Sequence, residues 1–176
     1  DGSVYLAMEL LEGESLGQRL AREKRLPIRD AVHFVRGALT SLAEAHTKGI
    51  IHRDLKPDNL FLTEVPDVGG APSREVCKIL DFGIAKLIRD ERAIDALETQ
   101  AGTVFGTPRY MSPEQAQGLR LDARSDIYSL GVILYQMVTG IPPFDDEEAV
   151  VVMARHIKTK PVPPRDIAPE AEIPPS

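Results

Sequence analysis

"GIIHRDLKPDNLFL" occupies residues 49–62, a run of charged and amide side chains from His52 to Asn59 set between apolar neighbours. Gly49 stops the helix-like pattern that precedes it, because helices end readily on a left-handed glycine. On the other side, residues 59–63 (NLFLT) and 76–80 (VCKIL) read as two short strands. The Pro/Gly/Asp-rich segment 64–75 between them is a loop of hairpin type. Its Gly69-Gly70 pair reads as loop flexibility rather than an anion nest, since no helix pattern follows it.

Upstream, residues 4–10 (VYLAMEL) form an apolar run that predicts a buried strand, broken by Gly13. Residues 14–23 predict a short helix, and Pro27 punctuates. Apolar residues then recur at 31, 32, 34, 35, 38, 39, 42 and 45, the 3.6-residue period of a long amphipathic helix. Downstream, residues 84–106 are mixed and polar. SPEQAQG predicts a short helix with Pro113 in its first turn. Residues 125–140 are apolar nearly all round, which predicts a helix in the middle of a core, N-capped by Ser125. Residues 145–158 predict a last helix, acidic at its start and basic at its end, in keeping with the helix dipole. His33, His46 and His156 read as ordinary helix residues.

The 176 residues suffice for one domain with a sizeable core, and the 43% apolar share is that of a soluble globular chain. A net charge of −6 argues against nucleic acid as a partner. The single cysteine, Cys77, excludes an internal disulfide and a cysteine zinc site and reads as a strand residue. No apolar run approaches the roughly 18 residues of a membrane span, and no signal segment opens the chain. Both ends look cut: the first residue is Asp, and residues 161–176 are proline-rich with no packing pattern.

His52-Arg53-Asp54-Leu55-Lys56 with Asn59, then Asp81-Phe82-Gly83, then Ser112-Pro113-Glu114 with Asp126 beyond it, make an ordered set. The set resembles the eukaryotic-type protein serine/threonine kinases, bacterial members included. The H-R-D-L-x-x-x-N pattern is met at every fixed position, D-F-G is intact, and A-P-E stands as S-P-E. The resemblance implies an α+β, mainly helical fold: a kinase large lobe over residues 1–160 with the hinge at its start, followed by the truncated end 161–176. It also implies ATP and Mg2+ as cofactors and protein Ser/Thr hydroxyls as acceptors. Such a transfer asks the protein for positioning and charge neutralisation.

In that family the match of Asp54 accepts the proton of the attacking hydroxyl. The matches of Asn59 and Asp81 hold Mg2+, for which hard oxygen ligands are suited. Lys56 reaches toward the transferred phosphate, and Thr107 hydrogen-bonds the catalytic aspartate; both favour Ser/Thr over Tyr acceptors. Arg53 implies control by phosphorylation, gripping a phosphate on Thr99 or Thr103 with Lys86 as a second cationic contact. The adenine is expected against Met8, Glu9 and Leu11 of the hinge, with Leu16 and Phe61 beneath the ring. His52 and Phe82 are expected to stack on Asp126, which makes His52 a packing residue.

The resemblance also has gaps. No G-x-G-x-x-G-x-V run and no V-A-I-K lysine occur in the sequence, and Glu114 lacks the downstream arginine that pairs with it in the family. A non-catalytic, pseudokinase-like interaction module is therefore the alternative reading. The kinase reading implies autophosphorylation in trans as a further activity. It also implies a cytoplasmic location, with any membrane anchor outside these residues.

Overall fold

The long amphipathic helix runs over Ile28–Thr47 and buries Ala31, Phe34, Ala38, Leu42 and Ala45, the stripe its periodicity predicts. It is α2 here, and the computed structural model describes residues 9–65, 74–82 and 108–174 around it. The expected strand over 4–10 falls mostly outside these residues, as do Met8, Gly69-Gly70, Lys86, Thr99, Thr103 and Thr107. Helix α2 closes through Lys48 onto Gly49, whose φ of +73° suits a residue without Cβ.

Before α2, the helix expected over 14–23 begins later. Gly13–Ser15 is a strand, β1, and α1 spans Leu16–Glu23. The reason is a capping box. The Ser15 hydroxyl accepts from the Gln18 amide at 3.1 Å, and Gln18 Oε1 accepts from the Ser15 amide at 2.8 Å. The residues ahead of the cap are left free to pair with a strand.

The two strands after the charged loop form but run further into the expected loop 64–75: β2 covers Leu60–Val65 and β3 Arg74–Ile79. They pair antiparallel from Leu60↔Ile79 to Val65↔Arg74, and β1 pairs with β2 on its other edge, giving the order β1-β2-β3. Leu60 and Leu62 of β2 and Cys77 of β3 face the core. Burial pushes the Cys77 thiol up to about 12, with Glu75 adding to the effect, so it is an inert core group. His33 of α2 holds this edge: its Nε2–H donates to the Glu75 carbonyl, and its Nδ1 accepts from Arg74, each at 2.8 Å.

Helix α3 is the short Pro113–Ala116, capped by Ser112. Helix α4, Ala123–Thr139, is the central apolar helix and buries Leu130, Val132, Ile133, Met137 and Val138. Its N-cap is Asp122, whose carboxylate accepts the Arg124 amide at 2.8 Å. The expected cap, Ser125, lies inside the helix, where its hydroxyl donates to Glu114. A carboxylate three residues earlier is the better acceptor for first-turn amides, and it releases Ser125 for that contact.

Helix α5 is Ala149–Lys158, shorter than the predicted 145–158. The acidic residues precede it because they are engaged elsewhere: Asp145 with Arg109 at 2.6 Å and Asp146 with Arg155 at 2.9 Å. The proline-rich end also packs, against expectation. Pro164–Ile167 forms a turn of helix, α6, Tyr135 donates to the Val162 carbonyl at 3.0 Å, Ala168 is buried, and Arg25 pairs with Glu170. Periodicity could not reveal this, since the segment is held by a backbone acceptor, an ion pair and two scattered apolar side chains, Ala168 and Ile173. No helix among the described residues is long and apolar enough to cross a membrane.

Candidate active site

The charged loop crosses from α2 to β2 with four successive peptide units fastened. Asp126 of α4 is 1% exposed, and it accepts the His52 amide on Oδ2 and the Arg53 amide on Oδ1, both at 2.9 Å. The next carbonyl, of Arg53, accepts from Gln115 Nε2 at 2.6 Å, and the amide of the same peptide unit, Asp54 N–H, donates to His52 Nδ1 at 3.3 Å. The carbonyl of Asp54 accepts from Asn59 Nδ2 at 2.8 Å.

These bonds hold a conformation the chain would not choose alone. Arg53 has φ +68° and Asp81 φ +53°, both in the left-handed region. There an L-residue costs about 1–2 kcal/mol, sustained only where the surroundings over-determine it.

His52 is fully buried. Its Nε2–H donates to the Leu80 carbonyl at 2.8 Å while Nδ1 accepts from Asp54, so both ring nitrogens are committed. Its ring meets Phe82 edge-on, with centroids 5.2 Å apart and planes at 63°. His52, Phe82 and Asp126 thus make a continuous packed column, and His52 has no nitrogen left for proton transfer to a substrate.

Two of the candidate side chains meet at the open side of this loop. Asp54 Oδ2 lies 3.3 Å from Lys56 Nζ, and the two side chains are 40% and 27% exposed. Asn59 ends the 3-10 turn Pro57–Asn59. With its Nδ2 on the Asp54 carbonyl, its Oδ1 accepts no hydrogen bond from the described residues. The β2–β3 pairing continues one step beyond the strands, Leu80 N–H to the Asn59 carbonyl at 2.8 Å, so Asp81 is the residue that follows Asn59's partner. An amide oxygen and a carboxylate on neighbouring strand ends fit a small hard cation that keeps water and phosphate as its other ligands. Among the described residues no group of three His, Cys, Asp or Glu could hold a metal.

On the outer face of the sheet, Ser15, Phe61 and Lys78 stand in register across the three strands. Lys78 Nζ binds both oxygens of Glu9 at 2.7 Å, which ties residue 9 over this face. Phe61 is half-buried and Leu11 partly exposed. Leu16, expected beneath a ring with Phe61, is fully buried as the first residue of α1 and has no surface to offer. The floor of that face is Phe61 alone of the two.

Glu114 is half-buried and, with no arginine paired to it among the described residues, takes the Ser125 hydroxyl as its partner. Burial raises its pKa, but hydrogen bonds from Ser125, its own backbone amide and Ser112 outweigh this and hold the carboxyl below the ordinary range.

Two contacts escaped the sequence reading. His46 Nε2 donates to Asp126, and its place four residues after Leu42, beside the buried stripe, was the available signal. Gln115 reaches Arg53 across the loop. Its spacing from Ser112 announces a capping box but not the second donor.

The sequence model of one family, described as "Protein kinase domain", matches residues 1–172. The chain is 45% identical over 179 residues to serine/threonine-protein kinase pkn3 of Myxococcus xanthus, covering 100% of this chain and 31% of that protein. It is 39% identical over 160 residues to serine/threonine-protein kinase PknB of Mycobacterium leprae, covering 91% of this chain and 24% of that protein. Against PknB of Mycolicibacterium smegmatis it is 37% identical over 172 residues, 96% of this chain and 26% of that protein. The chain thus spans a third or less of the length of these curated relatives.

Proposed function

The chain belongs to the protein kinase domain family, and from that premise we propose that it carries the phosphoryl-transfer loop of a serine/threonine kinase acting on protein hydroxyls. The observation that supports this reading is that Lys56 Nζ lies 3.3 Å from Asp54 Oδ2, Asn59 Nδ2 holds the Asp54 carbonyl, and Asp81 follows directly on Leu80, whose amide bonds the Asn59 carbonyl. A non-catalytic interaction module would not need these four groups together.

In this reading Asp54 accepts the proton of the Ser or Thr hydroxyl and orients its oxygen for in-line attack. Lys56, already beside Asp54, meets the negative charge of the transferred group. Asn59 Oδ1 and the Asp81 carboxylate are the protein ligands for Mg2+. When bound, the ion neutralises charge on the phosphates of ATP. Phe61 supports the adenine, with Met8, Glu9 and Leu11 at its edge, and Thr107 steadies Asp54.

Residues 1–160 are then the hinge and large lobe, and 161–176 a closing segment of the same body. In the family the phosphates are clamped by a G-x-G-x-x-G-x-V run and a V-A-I-K lysine, neither of which occurs in this sequence. Arg53 is half-buried and forms no ion pair with any described residue, which leaves its guanidinium for a phosphate on Thr99 or Thr103, with Lys86 assisting. Transfer between two copies would supply that phosphate, and use of ATP sets the chemistry in the cytoplasm.

The test is phosphate incorporation into a Ser/Thr peptide by the chain as expressed from its own gene, with Mg2+ and ATP. Asp54→Asn is expected to lower the rate about 10²–10⁴-fold. Absence of incorporation by the unaltered protein, or an Asp54→Asn variant of full rate, would overturn the reading. Phosphopeptide mapping of the active protein checks the regulatory part, which fails if neither Thr99 nor Thr103 is modified.

A further inference from the structure

We propose that Gln115 is a positioning residue for phosphoryl transfer: its side-chain amide sets the peptide unit from which Asp54 projects. The inference rests on the kinase reading of Asp54.

The peptide between Arg53 and Asp54 has two polar ends. Its carbonyl accepts from Gln115 Nε2 at 2.6 Å, and its amide donates to His52 Nδ1 at 3.3 Å. The second bond is long and joins near neighbours, so Gln115 supplies the strong anchor. The two preceding peptide units are fixed by Asp126 and the following one by Asn59. Without Gln115, only the unit that sets the direction of Asp54 would lack a firm partner. Arg53, at φ +68°, adjoins that unit and would relax toward negative φ by turning it.

The orientation of the Gln115 amide is itself determined. Its Oε1 accepts the Ser112 amide at 3.0 Å in the capping box of α3, which leaves Nε2 as the group that faces the Arg53 carbonyl. Gln115 therefore has two separable duties, an acceptor for the cap and a donor for the loop. Glutamate performs the first equally well and cannot, when ionised, perform the second.

Three variants of the chain as expressed from its own gene separate these duties. Gln115→Glu keeps the cap and sets a carboxylate against the Arg53 carbonyl. Its kcat is expected to fall on the order of tenfold to hundredfold, the scale of a small misplacement of a reacting group. KM for ATP and the melting temperature are expected to stay near their original values. Ser112→Ala removes the cap hydroxyl but leaves the Gln115 donor, so it is expected to lower the melting temperature and largely retain kcat. Gln117→Ala serves as a control, because its amide bonds only within its own turn.

Hydrogen exchange at the Asp54 amide provides a readout independent of activity, with an expected acceleration of about tenfold or more in Gln115→Glu alone. A Gln115→Glu protein with unchanged kcat and unchanged exchange overturns the proposal. So does a kcat that falls only in step with the melting temperature across both variants. If the unaltered protein transfers no phosphate, the kinase reading fails, and the exchange measurement alone decides whether Gln115 sets this peptide.

Discussion

Asp126 Oδ2 lies 2.7 Å from His46 Nε2, so the buried start of α4 holds the last turn of α2 as well as the charged loop. The carboxylate takes three donors, from His46, His52 and Arg53. Asp126→Ala strands two loop amides and the imidazole around an apolar gap, and is expected to cost about 3–5 kcal/mol. His46→Ala removes one of the three, from a side chain that is 14% exposed, and is expected to cost about 1–2 kcal/mol. Urea unfolding of both variants checks the ranking. Equal losses would mean that the loop amides draw nothing from Asp126.

Gly13 stands where a side chain has no room. Its φ is +147°, and a Cβ there would lie 2.0 Å from the Leu62 carbonyl oxygen, a backbone atom that cannot swing away. Gly13→Ala is expected to break the β1–β2 pairing at a cost of about 1–3 kcal/mol. Gly49 has a positive φ but open space around it, so Gly49→Ala should cost about 1–2 kcal/mol from backbone conformation alone. Thermal unfolding distinguishes them, and amide exchange at Thr63 should rise only in the Gly13 variant.

The legible parts of this fold were those written in local periodicity or in turn chemistry. The stripe from Ala31 to Ala45 was readable because its buried positions repeat with the helical period, and the Leu60–Ile79 pair because two short apolar runs flank a Pro/Gly/Asp-rich segment. Long-range polar partners left no such trace. Ser125 looks like a cap in sequence and serves Glu114 in space, while His46 reads as an ordinary helix residue and Gln115 as part of a short helix, yet they reach Asp126 and Arg53. For the candidate site the motif spacing singles out Asp54, Lys56, Asn59 and Asp81 as candidates, but it carries no sign of the positive φ at Arg53, which depends on two helices far along the chain. Leu16 was ambiguous for a related reason: an apolar residue beside a turn reads equally as core or ligand contact, and in the structure it is fully buried behind the Ser15 cap.

His156 predicts a pH dependence. The ring is buried, with Nδ1 accepting from the Tyr128 hydroxyl at 2.8 Å and Nε2–H donating to the Arg109 carbonyl at 3.1 Å, and its edge contacts Phe144. Burial lowers its pKa from the usual 6.5, and the carbonyls of Arg109 and Pro108 only partly oppose this. The folded value lies below the unfolded one, so its contribution is present above pH 6.5 and is lost as pH falls through the folded pKa. The melting temperature is expected to drop more between pH 7 and 5 in the unaltered chain than in His156→Gln. Parallel curves would show that His156 takes up its proton alike in the folded and unfolded chain, so that burial does not hold its pKa down.

Leu16 and Phe61 should separate stability from nucleotide binding. Leu16 is fully enclosed, so Leu16→Ala is expected to cost about 2–5 kcal/mol through the cavity it leaves. Phe61 is half-buried on the opposite side of the sheet from Leu60 and Leu62, beside Lys78 and its Glu9 partner. Phe61→Ala should destabilise the fold much less and weaken ATP binding about tenfold, equivalent to about 1.4 kcal/mol of lost contact. Calorimetric titration with ATP and urea unfolding, run on both variants as expressed from their own gene, read the two effects separately. Weakened ATP binding in Leu16→Ala at a temperature where it remains folded would return Leu16 to the binding face. Unaltered binding in Phe61→Ala would remove the adenine from this sheet surface.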